Sequence, residues 1–494
     1  MSEGFRNPDI DWAALSPILT LLGGASVVVL ATLFVPSGVK KPLAAGVAAL
    51  CFVGAAVAAI VLFVADDTGR GIVADAIRRD RLAELGQILV AGAGLLTVGV
   101  SLREPEREER AGEWYGLLLA AAAGMAFFVA ASNLMTLFLG LEWFSVCLYV
   151  LTAISVERLP ALEAGLKYLI VGSFGSAILL FGSAFVYGAT GAIGFDEIAR
   201  AAGDAEPLFF VTGLAMILVG LAFKASAAPF HMWTPDVYQG APTPVTAFMS
   251  AATKVAALVL TLRLLVTAFP SEEELWTVAL AVIVCISLAW GNLAALVQTD
   301  VKRMLAYSSV SHAGFLLMPV AVGTELGGRA LLFYLISYAA MSIGSFAVVA
   351  IRERELLQPV TVGNLAGFGW ERPFLGGAMA LFMFGFIGLP PAGLFLGKFY
   401  AFAAAVERGW AWLAVVGVVA TVVSIYYYLG VVRAMFMHPP ELRTAPAGGS
   451  PPRDLPLQAA VAAAAVVAVG TLVAADPLVD IARQAVESLR FPLS

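Results

Sequence analysis

Apolar stretches of about twenty residues, each long enough to cross a hydrocarbon layer as a helix, alternate with short polar turns along the whole chain. Fourteen such stretches lie near 13–34, 43–64, 83–102, 114–131, 134–154, 164–188, 208–232, 242–268, 276–297, 303–323, 329–350, 373–396, 410–435 and 457–475. The fourth and fifth are separated only by Ser132 and Asn133. Connectors such as "PSGVKKP", "GFDEIARAAGDAEP" and "HPPELRTAPAGGSPPRD" carry turn residues and are too short to fold as domains of their own. The pattern predicts an all-α polytopic membrane protein of about 14 transmembrane helices.

Two stretches are interrupted. In segment 7, "GLAFKASAAPFHMW" places Lys224 among apolar residues and Pro229 five positions later. In segment 12, "FGFIGLPPAGLFLGKFY" sets Pro390 and Pro391 before Lys398. Carbonyls freed by a break must be satisfied by protein or water, so broken helices line cavities rather than lipid. Two breaks five helices apart, each with one lysine, suggest two related halves around a midplane transport site.

Composition agrees. Of 494 residues, 60% are apolar and 13% charged, against about 25% charged in soluble domains. The net charge of −6 and the absence of a basic patch with interleaved aromatics give no sign of nucleic acid. Cys51, Cys147 and Cys285 sit in apolar runs, without the spacing of a metal site or disulfide framework. The acidic start "MSEGFRNPDIDWAAL" has no signal-peptide pattern, so the first segment is expected to be retained. Lys40, Lys41, Arg103, Arg107, Arg110, Arg158, Lys302, Arg303, Arg352, Arg354, Arg372, Arg433, Arg443 and Arg453 fall in alternate loops. The positive-inside rule then puts both termini outside, although Arg70, Arg78, Arg79 and Arg81 in loop 2–3 run against it.

Six ionisable residues stand inside predicted helices: Glu142, Lys167, Lys224, Lys254, His312 and Lys398. A charge at a helix centre costs about 2.5–3.5 kcal/mol even on the lenient insertion scale. The chain has 22 arginines and 7 lysines, yet the cations placed in segments 6, 7, 8 and 12 are all lysine. Arginine does not deprotonate in a protein, whereas a buried lysine can. The choice favours proton transfer over static pairing. Each residue has a plainer alternative. Glu142 could simply partner a lysine, Lys224 and Lys254 could be static counter-ions, and Lys167 could snorkel to the interface. His312 could be a neutral core histidine, although Tyr307, Ser308 and Ser311 give its helix a polar stripe that favours a wetted path, and Lys398 could lie near the surface. His231, Trp233, Asp236 and Tyr238 read as a polar re-entrant loop with interface aromatics. The stripe Tyr334, Tyr338 and Ser342 reads as helix–helix hydrogen bonding. No Walker A loop, dinucleotide fingerprint or haem or iron–sulfur pattern occurs. Energy is therefore expected from an ion gradient or from a partner.

The stretch "FKASAAPFHMWTPDVYQGAPTPVTAFMSAATKVAAL" resembles the segment 7–8 signature of the antiporter-like membrane subunits of respiratory complex I, the proton-pumping NADH–quinone oxidoreductase. "HMWTPDVYQGAPTPV" is most similar to the subunit N branch. "LFLGLEWFSVCLYVL", "GLKYLIVGSFGSAILLFG", "VKRMLAYSSVSHAGFLL" and "GLPPAGLFLGKF" support the resemblance, which runs from segment 4 to segment 13. It implies two inverted five-helix repeats, segments 4–8 and 9–13, each with a broken helix. The chain would divide into 1–112, 113–268, 269–436 and 437–494. It further implies proton translocation through Glu142, Lys224, Lys254, His312 and Lys398, with Lys167 of lesser weight. NADH, FMN, iron–sulfur clusters and quinone would be held by partner subunits, with none bound here. The partners implied are other membrane subunits, lipid and protons, in a cell inner membrane. A Mrp-type cation/proton antiporter or membrane-bound hydrogenase subunit is the alternative.

Overall fold

The computed structural model describes residues 10–65, 69–104, 108–439, 454–489 and 491. Arg107, Arg443 and Arg453, counted above among the loop charges, lie outside them, as does most of the acidic start. The chain begins with α1 (Trp12–Leu33) and α2 (Ser37–Ala65), then a small antiparallel hairpin, β1 (Arg70–Ile72) and β2 (Ile77–Arg79). Next come α3 (Arg81–Ser101), α4 (Ala111–Val129), α5 (Leu134–Thr152), α6 (Leu159–Thr190) and the short α7 (Phe195–Ala201). The first broken helix is α8 (Pro207–Lys224) followed by α9 (Thr234–Gly240). One span then combines α10 (Thr243–Phe248), a π turn (Met249–Thr253) and α11 (Lys254–Ala268). It is followed by α12 (Glu273–Leu296), α13 (Val301–Val322), α14 (Glu325–Leu356) and a single turn, α15 (Phe368–Glu371). The second broken helix is α16 (Pro373–Ile387) and α17 (Leu394–Glu407). The chain ends with α18 (Ala411–Met437), α19 (Leu455–Val473) and α20 (Ala475–Val486).

Among the described residues, thirteen helices are long and apolar enough to cross a membrane. The fourteenth expected span, segment 12, is split, and its first half of 15 residues falls short alone. Asp11, Asp80, Asn133, Asp300, Thr324 and Asp454 each cap a helix N-terminus by accepting a backbone N–H. The span Thr243–Ala268 is wholly buried, and α13 and α14 nearly so. Around this centre, α2, α18 and α19 turn most of their apolar side chains outward, as lipid-facing helices do. Helices α6 and α8 meet across glycines. A Cβ on Gly213 would stand 2.7 Å from the Gly182 carbonyl, and one on Gly220 would stand 2.5 Å from the Leu179 side chain.

Two sets of loop contacts mark the two ends of the bundle. At one end, Arg78 N–H donates to the Ala130 carbonyl at 2.7 Å, and Leu134 N–H donates to Ile193 at 2.9 Å. At the other, Val301 N–H donates to Val360 at 2.9 Å, while Arg354 joins Asp454 at 2.7 Å and also Glu104. The loop 2–3 arginines that opposed the charge rule are engaged at the first end. Arg70 and Arg79 meet Asp11, Arg78 meets Asp196 at 3.2 Å, and Arg81 donates to the Phe63 carbonyl at 3.2 Å.

Two features were not expected. The hairpin is one. The other is α20, which buries Ala482, Ala485 and Val486 and presents Asp480, Arg483 and Glu487 outward. The expectation that every deep cation is lysine also needs correction. Arg263 on α11 is 1% exposed and makes two bonds to the buried Asp80 carboxylate, at 2.5 and 2.6 Å. It lies about one and a half turns from the nearer end of α11, where a carboxylate from the α3 cap can reach it. Burial pushes the Asp80 carboxyl up; Arg263, the Ala83 N–H and Arg78 outweigh this and hold it below the usual range. A depressed carboxyl stabilises the fold above its unfolded value near 3.9 and loses that contribution as pH falls. The pair is therefore intact at neutral pH. We expect Arg263→Ala to cost about 3–5 kcal/mol by leaving a buried charge alone, lowering the thermal midpoint of the purified protein. An Asp80→Leu, Arg263→Met pair should recover most of that loss.

Candidate proton-transfer site

The first break starts earlier than its proline. Helix α8 ends at Lys224, and Ser226 takes a left-handed φ of 60°. The residue before a proline avoids helical backbone, and the Ala228–Pro229 peptide is cis. Three of the polar groups at the break find protein partners. Ser287 of α12 accepts from Ala228 N–H at 2.8 Å. The Trp233 indole donates to the Phe223 carbonyl at 3.1 Å. The Ala225 carbonyl accepts from Lys254 Nζ at 2.7 Å. The lysine of the following span is thus bonded to the backbone opened beside Lys224.

Lys224 itself is 2% exposed. Its Nζ donates to Ser145 Oγ at 2.6 Å, and the Ser145 hydroxyl donates in turn to the Leu141 carbonyl. The rings of Phe144, Tyr149, Tyr168 and Phe223 surround the ammonium at 5.5–5.7 Å. Glu142, one turn before Ser145 on α5, acts on Lys224 through space rather than by a direct ion pair. Its Oε1 is buried with no hydrogen-bond partner among the described residues.

The second break repeats the device. Helix α16 ends at Ile387, Gly388 takes a φ of 91°, and Pro390–Pro391 is cis. Lys398, 4% exposed on α17, donates to the Phe386 and Ile387 carbonyls, each at 3.0 Å, with Thr421 Oγ1 at 3.4 Å. Its Nζ stands 4.1 Å from the centre of the Phe315 ring. Phe315 lies one turn beyond His312 on α13, and the His312 ring packs on Phe386 at 5.1 Å. His312 Nδ1 meets Tyr334 OH at 2.8 Å and Nε2 meets Tyr428 OH at 3.1 Å. Beside it, Tyr427 donates to Asn292 Oδ1 at 2.9 Å, and Asn292 donates to Ser311 Oγ at 2.9 Å.

The structure buries Lys224, Lys254, His312 and Lys398 and sets Glu142 at the first of them. It places Lys167 elsewhere: the side chain is 44% exposed and paired with Glu163 at 2.7 Å and Asp236 at 2.9 Å. The interface-belt reading of the segment-7 loop is overturned for its aromatics. Trp233 is 2% exposed and stacks on Tyr168 at 4.6 Å, and Tyr238 is fully buried, while Asp236 does face outward to Arg303 at 2.6 Å. The Tyr334–Ser342 stripe does bond across helices, to His312 and to Ser250. Ser145, Asn292, Tyr427 and Tyr428 were missed. Only Ser145 carried a signal, its spacing of three from Glu142, which puts both on one helical face.

Chemically, three buried lysines each donate to a hydroxyl or carbonyl oxygen rather than a carboxylate, two of them among aromatic rings. A carboxylate partner fixes lysine as the cation. A neutral oxygen solvates it and lets its proton exchange.

Comparison with known proteins agrees with this geometry. Residues 131–424 match the family described as NADH:quinone oxidoreductase/Mrp antiporter, transmembrane. The chain is 42% identical over 432 residues to NADH-quinone oxidoreductase subunit N of Trichlorobacter lovleyi, covering 86% of this chain and 87% of that one. A chain of respiratory complex I from Thermus thermophilus superposes with a TM-score of 0.78 at 34% identity, covering 94% and 98%. The Mrp complex of Dietzia shares the fold, with a TM-score of 0.85 at 20% identity over 97% and 98%. A chain matched over most of its length by subunit N sequences, and carrying the two broken helices in place, belongs to the NADH-quinone oxidoreductase subunit N family of antiporter-like membrane proteins.

Proposed function

We propose that this chain is a membrane proton-translocating subunit of an NADH–quinone oxidoreductase. Partner subunits hold the NADH-oxidising and quinone-reducing groups, and this chain supplies a path for protons. The observation that carries the reading is the link between each break and a lysine. Lys254 sits on the carbonyl freed after Lys224, and Lys398 sits on the carbonyls freed at Ile387, with His312 packed on Phe386 beside the second break. Protons pass by coupled titration along Glu142, Lys224, Lys254, His312 and Lys398, while Lys167 belongs to the rim. Residues 113–268 and 269–436 act as the two repeats, flanked by 1–112 and 437–494. The chain resides in a cell inner membrane with both termini outward.

The decisive variant is Lys224→Met, measured in sealed vesicles as protons pumped per NADH oxidised, with assembly checked on a native gel. An assembled complex that pumps well below wild type is expected. Wild-type stoichiometry in an assembled complex would turn Lys224 into a structural cation. Ser145→Ala should weaken the same step. It removes the hydroxyl that solvates the ammonium, a bond to a charged group worth about 1.5–3 kcal/mol, so roughly tenfold or more in rate. Ser145→Thr, which keeps the hydroxyl, should restore pumping; failure of Thr to rescue would assign Ser145 to packing alone.

A further inference from the structure

A polar cavity of about 500 Å³ opens at the end of the bundle that carries the basic loops, among residues of α6, α9, α13 and α14. Glu163, Asp236, Asp300 and Glu353 line it together with Arg158 and Lys302. Lys302 had been counted as a loop cation, but it is 2% exposed, in the first turn of α13. A cation there opposes the positive end of the helix dipole, so something at the site must hold it. Its Nζ donates to the Ala241 carbonyl at 2.8 Å and to Thr243 Oγ1 at 3.0 Å, and it faces Glu353 Oε1 at 3.7 Å. Thr243 donates its own hydrogen to the other oxygen of Glu353. Lys302 and Glu353 thus line the cavity, and Thr243, bonded to both, joins them from a third helix.

Thr243 is also the first residue of the span that carries Lys254. Between them that helix buries Thr246 and Ser250, both fully, and Ser250 accepts from Ser342 at 2.7 Å. The four positions 243, 246, 250 and 254 fall on one face, spaced three, four and four apart. At 3.6 residues per turn that spacing holds one face, and its last step, from Ser250 to Lys254, crosses the π turn at Met249–Thr253. Neighbouring hydroxyls along such a face are about one turn apart, a gap that one water bridges.

We propose that this cavity is the mouth through which protons enter toward Lys254, with Glu353 as acceptor, Thr243 as relay and Lys302 as the charge that guards it. The proposal rests on the proton-translocating reading above. In the transfer, Glu353 takes one proton from water in the cavity and becomes a carboxylic acid. Once protonated, Glu353 donates to the Thr243 oxygen instead of accepting from it; the Thr243 hydroxyl turns its own hydrogen inward and releases it, and the chain ends as the Lys254 amine becomes an ammonium. One proton moves, and no electrons are exchanged.

The test uses the assembled complex in native membrane vesicles. Glu353→Gln and Thr243→Val should each cut protons pumped per NADH by roughly tenfold or more, and Glu353→Asp should retain pumping. Glu353→Cys, treated with a membrane-impermeant cationic thiol reagent, should lose its remaining pumping only when the basic-loop face points outward. That comparison is made within one folded protein, so it decides the matter even where Glu353→Gln fails to assemble. If the Gln and Val variants assemble and pump normally while Lys254→Met does not, the mouth lies elsewhere and the functional reading stands. Equal block of Glu353→Cys from both faces, or from neither, would likewise overturn the proposal. Normal pumping by Lys254→Met would sink both.

Discussion

Everything in this fold turns on one constraint: inside a bilayer, a backbone group released from its helix must find a partner within the protein. The chain releases such groups twice, after Lys224 and after Ile387. In both places a lysine from a later helical segment supplies the missing hydrogen bonds. The usual account treats an intramembrane lysine as a cost to be offset by an acid. Here the lysine and the break offset each other. The ammonium gains carbonyl oxygens at the negative end of a half-helix, which also favours its charge, and the carbonyls gain donors. Losing either would expose the other, so break and lysine are expected to stand or fall together.

The distribution of arginine and lysine follows from the same constraint. Arg263 grips Asp80, Arg352 grips Glu355 and Glu371, and Arg354 grips Asp454 and Glu104. All three fasten one helix to another element, two of them at the basic-loop end and Arg263 toward the opposite end. A forked, permanently charged group paired with carboxylates is suited to that fixed role. The three deep lysines lack such partners and meet neutral oxygens. At these positions arginine meets carboxylates and lysine meets neutral oxygens.

Much of this was legible in the chain itself. The spans were set by runs of apolar residues, and both breaks were marked by proline within such a run. The deep charges stood out because the bilayer makes any intramembrane charge conspicuous. What could not be read was anything decided by a neighbour distant in sequence. Lys302 looked like a loop cation because its burial comes from Thr243 and Glu353, 59 and 51 positions away by residue number. Lys167 looked intramembrane because its helix of 32 residues extends beyond the apolar core. Tyr427 and Tyr428 looked like ordinary apolar-helix aromatics until Asn292 and His312 were placed beside them. The early end of α8 was hidden as well, since a proline reports where helix cannot be, not where it stops.

The contact between α5 and Lys224 bears on how distant redox chemistry could drive the lysine. Coupling over distance needs an element with two arrangements that both sites bias. Ser145 and Glu142 sit one turn apart on the same helix face, and Lys224 occupies the hydroxyl while the buried Glu142 Oε1 holds no hydrogen bond. On the serine, the ammonium is solvated but not neutralised; on the glutamate, it would be locked as an ion pair. A change of charge at either side of α5 shifts the balance between these two positions, because they differ in charge separation and little else. In the function proposed above, that balance is the property Lys224 would need as the first lysine of the path.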